Sequence, residues 1–354
     1  MVCHLGPDQD LYHFSRIHTG LCALEQNREI ELQFAPPPAN KPYYSSIGWA
    51  MLQVEPVDAP PRRVAIDLMD RSIEFSLPLL AEADVYFKRS YFPPHCESLP
   101  PGDRPKVLPA GLNYACRSSA QTRQVLAAVG AAWTWRTLRE AVTGASPLRK
   151  QVERLRQFQV IPHAADFEWS PDRPTRRRIL FQTRLWDPVG VEHEDGDAIN
   201  QERAKLLAAL RQAFPDEFAG GLVPEPYARK HYPELLAAES YRHHEFIAFS
   251  REIEIGIYTR GLHESDAFKL PEYLASSKCI VMTPPRNTLP VPLVEGRNYL
   301  SYGSIAECVG QCRRLLEDKV LAVSMRQANW EYYQRHVEPM VFVQRMIEHG
   351  AAGE

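Results

Sequence analysis

The spacing of apolar residues predicts that strands and helices alternate along the first half of the chain. A helical pattern runs from Asp10 to about Gln26. Short strand-like runs follow it, and they read EIELQF, AMLQV, RRVAIDLM, ADVYFKR and KVLPAGL. Further helical patterns cover Ser119–Thr143 and Leu148–Phe158. Strands separated by helical or loop segments are typical of an α/β layer with a mostly parallel sheet.

The same alternation begins again after residues 163–175, HAADFEWSPDRPT, which have little periodicity and carry two prolines, as linkers often do. The strand-like runs of the second half are RRRILFQTRLW, FAGGLV, IEIGIYT and KCIVMT. Helical patterns lie between and after them, at about Asn200–Phe214, near Tyr232–Ser240, after Phe268 and at Ile305–Leu316. The pattern predicts a second α/β unit.

A last helical pattern runs from Leu321 to about His349 and is interrupted at Pro339. We expect this tail to cross back onto the first domain. A chain of 354 residues is also long for a single core. The predicted division is therefore an N-terminal domain at 1–165, a C-terminal domain at 176–325, and a returning helix at 326–354.

Composition and charge narrow the class of protein. The chain has 41 Lys and Arg against 44 Asp and Glu, a net charge of -3, which argues against general electrostatic binding to nucleic acid or to an anionic membrane. Seven cysteines without a CxxC pair favour a reducing compartment, and Cys308 and Cys312 on one helix face indicate packing. The N-terminal MVCHLGPDQD does not resemble a signal peptide, and no apolar run approaches the ~20 residues of a membrane span. We expect a cytoplasmic protein, with peripheral association at the inner membrane face as an alternative.

Two carboxylates flank the start of the helix that follows IEIGIYT. In GLHESDAFKLPEYLASSKCIV, Glu264 lies in a polar turn and Glu272 in the first helical turn, eight positions later. A glutamate at a helix start is favoured by the helix dipole alone, and a glutamate in a turn is often only solvated. In open α/β sheets, however, this turn is at the carboxyl end of a strand, where ligands bind.

These two glutamates, with seven residues between them, resemble the motif of the group 1, retaining nucleotide-sugar glycosyltransferases of the GT-B fold. The strand ILFQTRL resembles that family's first C-terminal strand, and EGRNYLSYGSIAECVGQCRRLLED resembles a later strand and helix. The resemblance covers roughly 176–320. It implies two Rossmann-like domains facing a cleft, with Glu264 on the donor sugar, Glu272 on the ribose and Arg184 on the diphosphate.

The chain departs from the family pattern at two places, after the first glutamate and after the arginine. Ser265 and Ala267 stand where the family usually has glycines, and TRLWDPVG lacks the usual lysine after the arginine. Lys269, Arg203 or Lys205 could supply the missing cation, and Lys269 is favoured because it lies within the turn-to-helix segment. The donor set predicted from the resemblance is Arg184, His263, Ser265, Leu270 and Glu272, with Glu264 and Lys269 as catalytic residues.

The N-terminal domain holds the candidates for binding the glycosyl acceptor. They are polar side chains at predicted strand ends, namely Asp67, Asp70, Lys88, Arg89 and Asn113. Asp70 is also a catalytic candidate. His4, His13 or His18 could act as a base, although a lone histidine more often packs in the core or lies on the surface.

No metal or other cofactor is expected. A departing nucleoside diphosphate can be stabilised by cationic side chains and a helix N-terminus, and no Asp-x-Asp pair stands out for a metal bridge. The acidic cluster HEDGDAIN, at His193–Asn200, is interpreted as a solvated loop.

The sequence therefore predicts an enzyme that moves a sugar from a nucleotide sugar to an acceptor hydroxyl with retention of configuration. Its partners would be the donor and a glycan, lipid-linked or small-molecule acceptor, and no nucleic acid. One alternative is an inverting transferase or a nucleotide-sugar epimerase of the same fold, with a base from Asp67, Asp70 or an N-terminal histidine. Another is a non-catalytic nucleotide- or sugar-binding protein. An NAD-dependent enzyme is disfavoured, since no GxGxxG follows a strand.

Overall fold

A computed structural model of the chain describes residues 1–6, 10–34, 48–118, 156–188 and 196–352. The predicted helix at Ser119–Thr143 and most of the one at Leu148–Phe158 lie outside these ranges. The chain divides into two compact units. Unit 1 comprises Met1–Ala165, Asn287–Pro290 and His336–Glu354, and unit 2 comprises Asp166–Arg286 and Val291–Arg335.

Unit 1 is built on a six-stranded mixed sheet with the strand order β2-β1-β3-β4-β5-β6. Its strands are β1 Val2–Leu5, β2 Glu31–Phe34, β3 Trp49–Glu55, β4 Arg62–Asp67, β5 Val85–Lys88 and β6 Val107–Pro109. Strand β3 runs antiparallel to β1 and β4, and the other pairs are parallel. The sequence pattern located β2 to β6 but missed β1, which is only four residues long.

Alternating side chains of this sheet build a core on each face. On one face, Leu52 and Val64 pack with apolar residues of α1 (Ser15–Gln26) and α9 (Pro339–Ala352). On the other face, Met51, Ala65 and Tyr86 pack against α2 (Leu77–Glu82). Each of these strands therefore contributes to two apolar layers.

The C-terminal helix returns to unit 1, as the sequence predicts. The chain leaves unit 2 after Arg335, and α9 then packs along α1. Gly20 of α1 makes this close approach possible, because a Cβ at that position would overlap the Pro339 carbonyl oxygen. The segment Asn287–Pro290 also belongs to unit 1, where the Thr288 amide donates to the Tyr91 carbonyl at 2.8 Å.

Unit 2 contains a five-stranded parallel sheet with the order β11-β10-β9-β7-β8. Its strands are β7 Arg176–Thr183, β8 Phe218–Leu222, β9 Ile253–Tyr258, β10 Cys279–Met282 and β11 Tyr299–Ser301. Its helices are α3 Gly196–Ala213, α4 Pro226–His231, α5 His243–Arg251, α6 Lys269–Ala275, α7 Ile305–Glu317 and α8 Lys319–Tyr332. This order is that of an open, doubly wound α/β sheet, so the predicted α/β fold of two Rossmann-like units is confirmed.

The core of unit 2 explains two features of its sequence. Ile255 and Ile257 of β9 pack toward a cluster that contains Cys308 and Cys312, both with no exposed surface. These two thiols are packing residues, as predicted. On the opposite face of β9, a Cβ at Gly256 would lie 2.7 Å from the Tyr273 ring. The glycine therefore lets α6 lie close against the sheet.

The helix predicted near Tyr232–Ser240 is wrong. The chain instead forms α4 before this segment and α5 after it, with a 3₁₀ turn at Pro233–Leu235 between them. The guanidinium of Arg211 explains the difference, because it donates to the carbonyls of Glu234, Leu235 and Leu236. Those carbonyls are held by a side chain from α3 rather than by a continuing helix.

Candidate functional site

The site lies where two neighbouring parallel strands of unit 2 end. Strands β7 and β9 are adjacent, while β8 follows β7 in the chain and lies on its other side. The strand order therefore reverses between β7 and β9, and the carboxyl ends at such a point are where open α/β sheets bind ligands. Arg184 follows β7 here, and Thr259 and Arg260 follow β9.

A single buried arginine joins these two strand ends. Arg203 of α3 is 5% exposed, and its Nη1 donates to the Arg184 carbonyl at 2.8 Å. Its Nη2 donates to the Arg260 carbonyl at 2.9 Å, and its Nε donates to Thr259 Oγ1 at 3.3 Å. The planar donor fork of arginine suits this threefold contact. The sequence offered Arg203 as a diphosphate ligand, whereas the structure shows its guanidinium bound to the backbone of both loops.

The turn after β9 holds Glu264 in an uncommon backbone conformation. His263 and Glu264 have φ of 56° and 58°, in the left-handed region that side chains other than glycine seldom adopt. The turn is closed by the Gly261 amide, which donates to the Ser265 carbonyl at 3.0 Å, and Ser265 is buried. The Glu264 carboxylate pairs with Arg260 four residues earlier. The turn thus fixes a carboxylate at the carboxyl edge of the sheet.

Helix α6 begins at Lys269 and carries Glu272 one turn later, close to the predicted start near Phe268. Burial lowers the pKa of Lys269, and the charges of Arg184 and Arg203 lower it further, although Glu272 acts in the opposite direction. Burial raises the pKa of Glu272 to about 7, against the effect of Lys269. Leu270 lies between them with no exposed surface, so its side chain belongs to the core.

Glu272 also forms part of the wall of a small open pocket between α5 and α6. Its apolar walls come from Phe167, Phe246 and Ile247, and its polar walls come from Ser250, Arg251, Glu272 and Ser276. The half-buried carboxyl therefore faces a partly aromatic surface rather than open solvent.

Sequence reasoning missed the contribution of α5. The Lys269 ammonium lies 4.1 Å from the ring centre of Phe246, which is a cation–π contact. Burial lowers the pKa of His243, the first residue of α5, and Lys269, Arg184 and His244 lower it further. The amphipathic run HHEFIAFSR was the available signal, and it was displaced by the helix predicted just before it.

Several of the charged side chains at this edge are cations, and these cations lie near one another. Burial lowers the pKa of Arg203 to about 10; Glu202 and Tyr258 act in the opposite direction, and Arg260 and Arg184 lower it further. Arg184 is 56% exposed, and its carboxylate partner, Glu225, is 3.9 Å away. The cations therefore lie near enough to lower one another's pKa values, which is a property of an anion site.

Two of the candidates in unit 1 form a closed ion pair. Asp67 and Lys88 end the adjacent parallel strands β4 and β5 and face each other in register. Lys88 Nζ lies 2.9 Å from Asp67 Oδ2, which also accepts a hydrogen bond from the Tyr86 hydroxyl at 2.6 Å, and neither charged side chain has exposed surface. The pair links the ends of β4 and β5 in the sheet of unit 1. Its predicted role in acceptor binding stays a prediction.

The other unit 1 candidates lie in loops at the same edge. Arg89 Nη1 pairs with Asp70 Oδ1 at 2.6 Å, and Asp70 is 52% exposed. The Asn113 amide donates to the His13 carbonyl at 3.0 Å, while its buried Oδ1 has no partner in the described part of the chain. Among the predicted histidines, His4 pairs with Glu55 and His18 stacks on Phe34. The role of Asp70, Arg89 and Asn113 in acceptor binding stays a prediction.

Within the described ranges, no group of three His, Cys, Asp or Glu side chains is arranged to hold a metal ion. Residues 193–195 of the acidic cluster HEDGDAIN lie outside those ranges. The expected independence of metal stays a prediction. A search of the described helices likewise finds none with the length and apolar character to cross a membrane.

No family model matches the sequence, and no curated protein does either. Similar solved structures include the C-terminal domain of a group 1 family glycosyl transferase from Francisella tularensis, with a TM-score of 0.36 and 13% identity over 49% of this chain and 97% of that one. Anabaena HepE in complex with UDP-glucose has a TM-score of 0.41 and 11% identity over 79% of this chain and 70% of that one.

The UDP-GlcNAc 2-epimerase of Neisseria meningitidis, bound to UDP-GlcNAc, has a TM-score of 0.38 and 14% identity over 81% of this chain and 69% of that one. At these identities and TM-scores the similarities assign no activity to the chain. The chain is thus described by its own topology, as two α/β units of which the second carries a cationic site at the switch point of its sheet.

Proposed function

We propose that unit 2 binds the nucleoside diphosphate portion of a nucleotide sugar, and that the protein is a glycosyltransferase which moves that sugar to an acceptor hydroxyl. The observation that carries the proposal is the group of cations at the ends of β7 and β9. Arg184 and Lys269 lie at this edge with Arg203, and the pKa values of Lys269 and Arg203 are lowered both by burial and by neighbouring cations. Such crowding costs free energy until an anion arrives.

A diphosphate is well matched to this charge. Lys269 provides an ammonium point charge at the Phe246 ring, and Arg184 provides an exposed guanidinium that can contact phosphate oxygens with two nitrogens. Negative charge develops on the leaving phosphate as the glycosidic bond breaks. Cations fixed in a partly dry site stabilise that charge more than cations in water do.

The two glutamates take different parts in this proposal. Glu272 is on the same helical turn as Lys269, which supports a role for it in binding the ribose hydroxyls beside the diphosphate. Glu264 is held in the turn by Arg260, where it would offset positive charge that develops on the sugar. Arg203 supports both loops without a direct role in binding the ligand.

We also propose that the sugar is transferred with retention of configuration, because of the glutamate spacing, and without a metal, because of the cation set. Binding of the glycosyl acceptor by Asp70, Arg89 and Asn113 of unit 1 is a further part of the proposal. An inverting transferase, an epimerase and a binding protein without turnover are the outcomes that the experiments below separate.

Titration calorimetry with UDP, GDP, ADP and CDP tests the binding step. We expect one of them to bind, and Lys269→Gln to weaken that binding by about tenfold, since a charge-assisted contact is lost. Lys319→Gln, a change at an exposed lysine that begins α8, is the matched control and should leave the affinity unchanged. Failure of all four nucleotides to bind would overturn the proposal.

The matching nucleotide sugar then tests the reaction. A transferase releases nucleoside diphosphate in the presence of EDTA and forms a product whose anomeric proton coupling reports retention. Interconversion of the sugar without release identifies an epimerase, and binding without turnover identifies a binding protein.

A further inference from the structure

His243 lies beside the cations of the candidate site, although no sequence motif indicated it. It is the first residue of α5, and Phe246 is on the same face of this helix three residues later. The Lys269 ammonium lies over the Phe246 ring at 4.1 Å, which places Lys269 against the face that carries His243. The Phe167 ring forms a T-shaped pair with the imidazole, with ring centres 6.3 Å apart.

The backbone at this helix end has donors to offer as well. Helix α5 has no side-chain cap, and its first backbone bond runs from the Phe246 amide to the Arg242 carbonyl. The amides that precede Phe246 in this helix therefore have no carbonyl partner within the helix. An anion at this end would meet the positive end of the helix and the imidazole together.

The charges that face His243 come from three elements. Lys269 of α6 and Arg184 after β7 act on it from outside its own helix, and His244 acts from within it. Glu245, the acidic residue of this first turn, pairs with Arg242 at 3.5 Å and with His244 at 3.7 Å. The surroundings of the half-buried imidazole are thus cationic, and they favour its neutral form while the site is empty.

We propose that His243 is a further ligand of the diphosphate, which binds phosphate oxygens as an imidazolium, so that nucleotide binding draws one proton into the site. The inference rests on the proposed function of unit 2 and adds to it a specific residue and a proton count. The phosphate oxygens bring negative charge to an imidazole on which Lys269 and Arg184 act, and this favours its protonated form.

The direction of the linkage follows from the two states. In the empty protein the pKa of His243 is lowered from its ordinary 6.5, and in the complex an adjacent phosphate raises it. Between those two pKa values only the complex holds the proton. Affinity therefore increases as the pH falls through this window, by at most about tenfold per pH unit for one proton.

Calorimetry of the full-length protein in buffers of different ionisation enthalpy measures the proton uptake. The probes are the tightest of UDP, GDP, ADP and CDP, and inorganic pyrophosphate, each titrated from pH 6 to pH 8. We expect wild-type affinity to be about three- to tenfold higher at pH 6 than at pH 8 beyond what His243→Gln shows. The proton uptake that remains in His243→Gln measures the contribution of the ligand's own titration.

Two further variants separate His243 from its neighbours. His244→Gln changes the exposed histidine next to it and should keep the wild-type proton uptake. Glu272→Gln removes a carboxyl whose pKa of about 7 lies in the same window, and the difference between His243→Gln and wild type should persist in its background. His243→Asn repeats the test with a shorter side chain, and circular dichroism checks that each variant is folded.

The outcomes distinguish the inference from the function on which it rests. Equal affinity and equal proton uptake in wild type and His243→Gln, with nucleotide bound normally, would overturn the role of His243 alone. Absence of binding by every nucleotide and by pyrophosphate would overturn both the inference and the proposed function.

Discussion

The carboxyl edges of the two sheets carry similar residues in opposite electrostatic arrangements. At the edge of unit 1, Lys88 is matched with Asp67, and Arg89 is matched with Asp70. At the edge of unit 2, Arg184, Arg203 and Lys269 are near one another, and the pKa values of the last two are lowered. A charged residue at a strand end is therefore not by itself evidence of a ligand site. The second edge differs in that its cations lie near one another and lower each other's pKa values.

The two arrangements also differ in what they cost the fold. An enclosed ion pair loses little when it stays intact and much when one partner is removed. A group of neighbouring cations of which one is buried, together with a carboxyl of raised pKa, is unfavourable as it stands and is improved by a bound anion. Stability measurements on one edge and binding measurements on the other therefore test the comparison.

The largest expected effect is on the pair of unit 1. Lys88→Met should lower the free energy of unfolding by about 3–5 kcal/mol, because it leaves the Asp67 carboxylate enclosed without its cation. Urea denaturation measures it. The double variant Asp67→Asn with Lys88→Met should lose far less than the single one. Arg71→Met, in the exposed pair of Arg71 and Glu74 at 2.9 Å, is the control and should cost under about 1 kcal/mol. A Lys88→Met loss as small as that of the control would contradict the assignment.

The next effect concerns the two glutamates of unit 2. Glu264→Gln should lower kcat by about a hundredfold with little change in nucleotide affinity, since the charge on the sugar develops only in the transition state. Glu272→Gln should instead weaken nucleotide binding at least as much as it slows the reaction. Steady-state kinetics and calorimetry on the same preparations decide this, with the exposed Glu317→Gln as control. Parallel effects of both changes on binding and on turnover would show that the two roles are misassigned.

The smallest effect is a pH-dependent gain in stability. The pKa of Glu272 is raised from 4.5 to about 7, so its charge destabilises the folded state progressively from pH 4.5 to about pH 7, and by a constant amount above that. Glu272→Gln should therefore raise the free energy of unfolding by roughly 2 kcal/mol at pH 8 and by much less at pH 5. Urea denaturation at both pH values measures the difference. A gain of the same size at both would mean that the ionisation of Glu272 does not cause it.

Much of the fold could be predicted because its signals are local. The buried runs of β7, β9 and β10 and the start of α6 near Phe268 follow from apolar periodicity and from the position of Pro271 in the first helical turn. Strand β1, Val2–Leu5, was missed because its VCHL is one short alternation of apolar and polar residues at the start of the sequence. Helix α5 was misplaced because Arg211, distant in the sequence, holds the carbonyls of the preceding segment.

The residues of the candidate site likewise differ in whether the sequence could predict them. Glu264, Lys269 and Glu272 could be named as candidates from the sequence, because their spacing within one segment predicts the strand end and helix start at which the structure has them. The contact of Arg203 with both strand ends could not be predicted, because it joins backbone groups that only the folded sheet brings together. The same holds for His243, whose cationic neighbours come from other elements. The enclosure of Asp67 and Lys88 likewise depends on the sheet register rather than on either sequence position.

The return of α9 to unit 1 has a consequence for the order in which a newly made chain can fold. One apolar layer of unit 1 combines Cys3 and Leu5, from the first strand, with Phe342 and Met346, from the last helix. That layer cannot be completed until Phe342 and Met346 have left the ribosome. Unit 2 ends at Arg335, so all of its residues emerge before α9 does. Although β1 to β6 of unit 1 precede unit 2 in the chain, the second unit is thus the first of the two whose interior can close, contrary to the usual order of domain folding from the N-terminus.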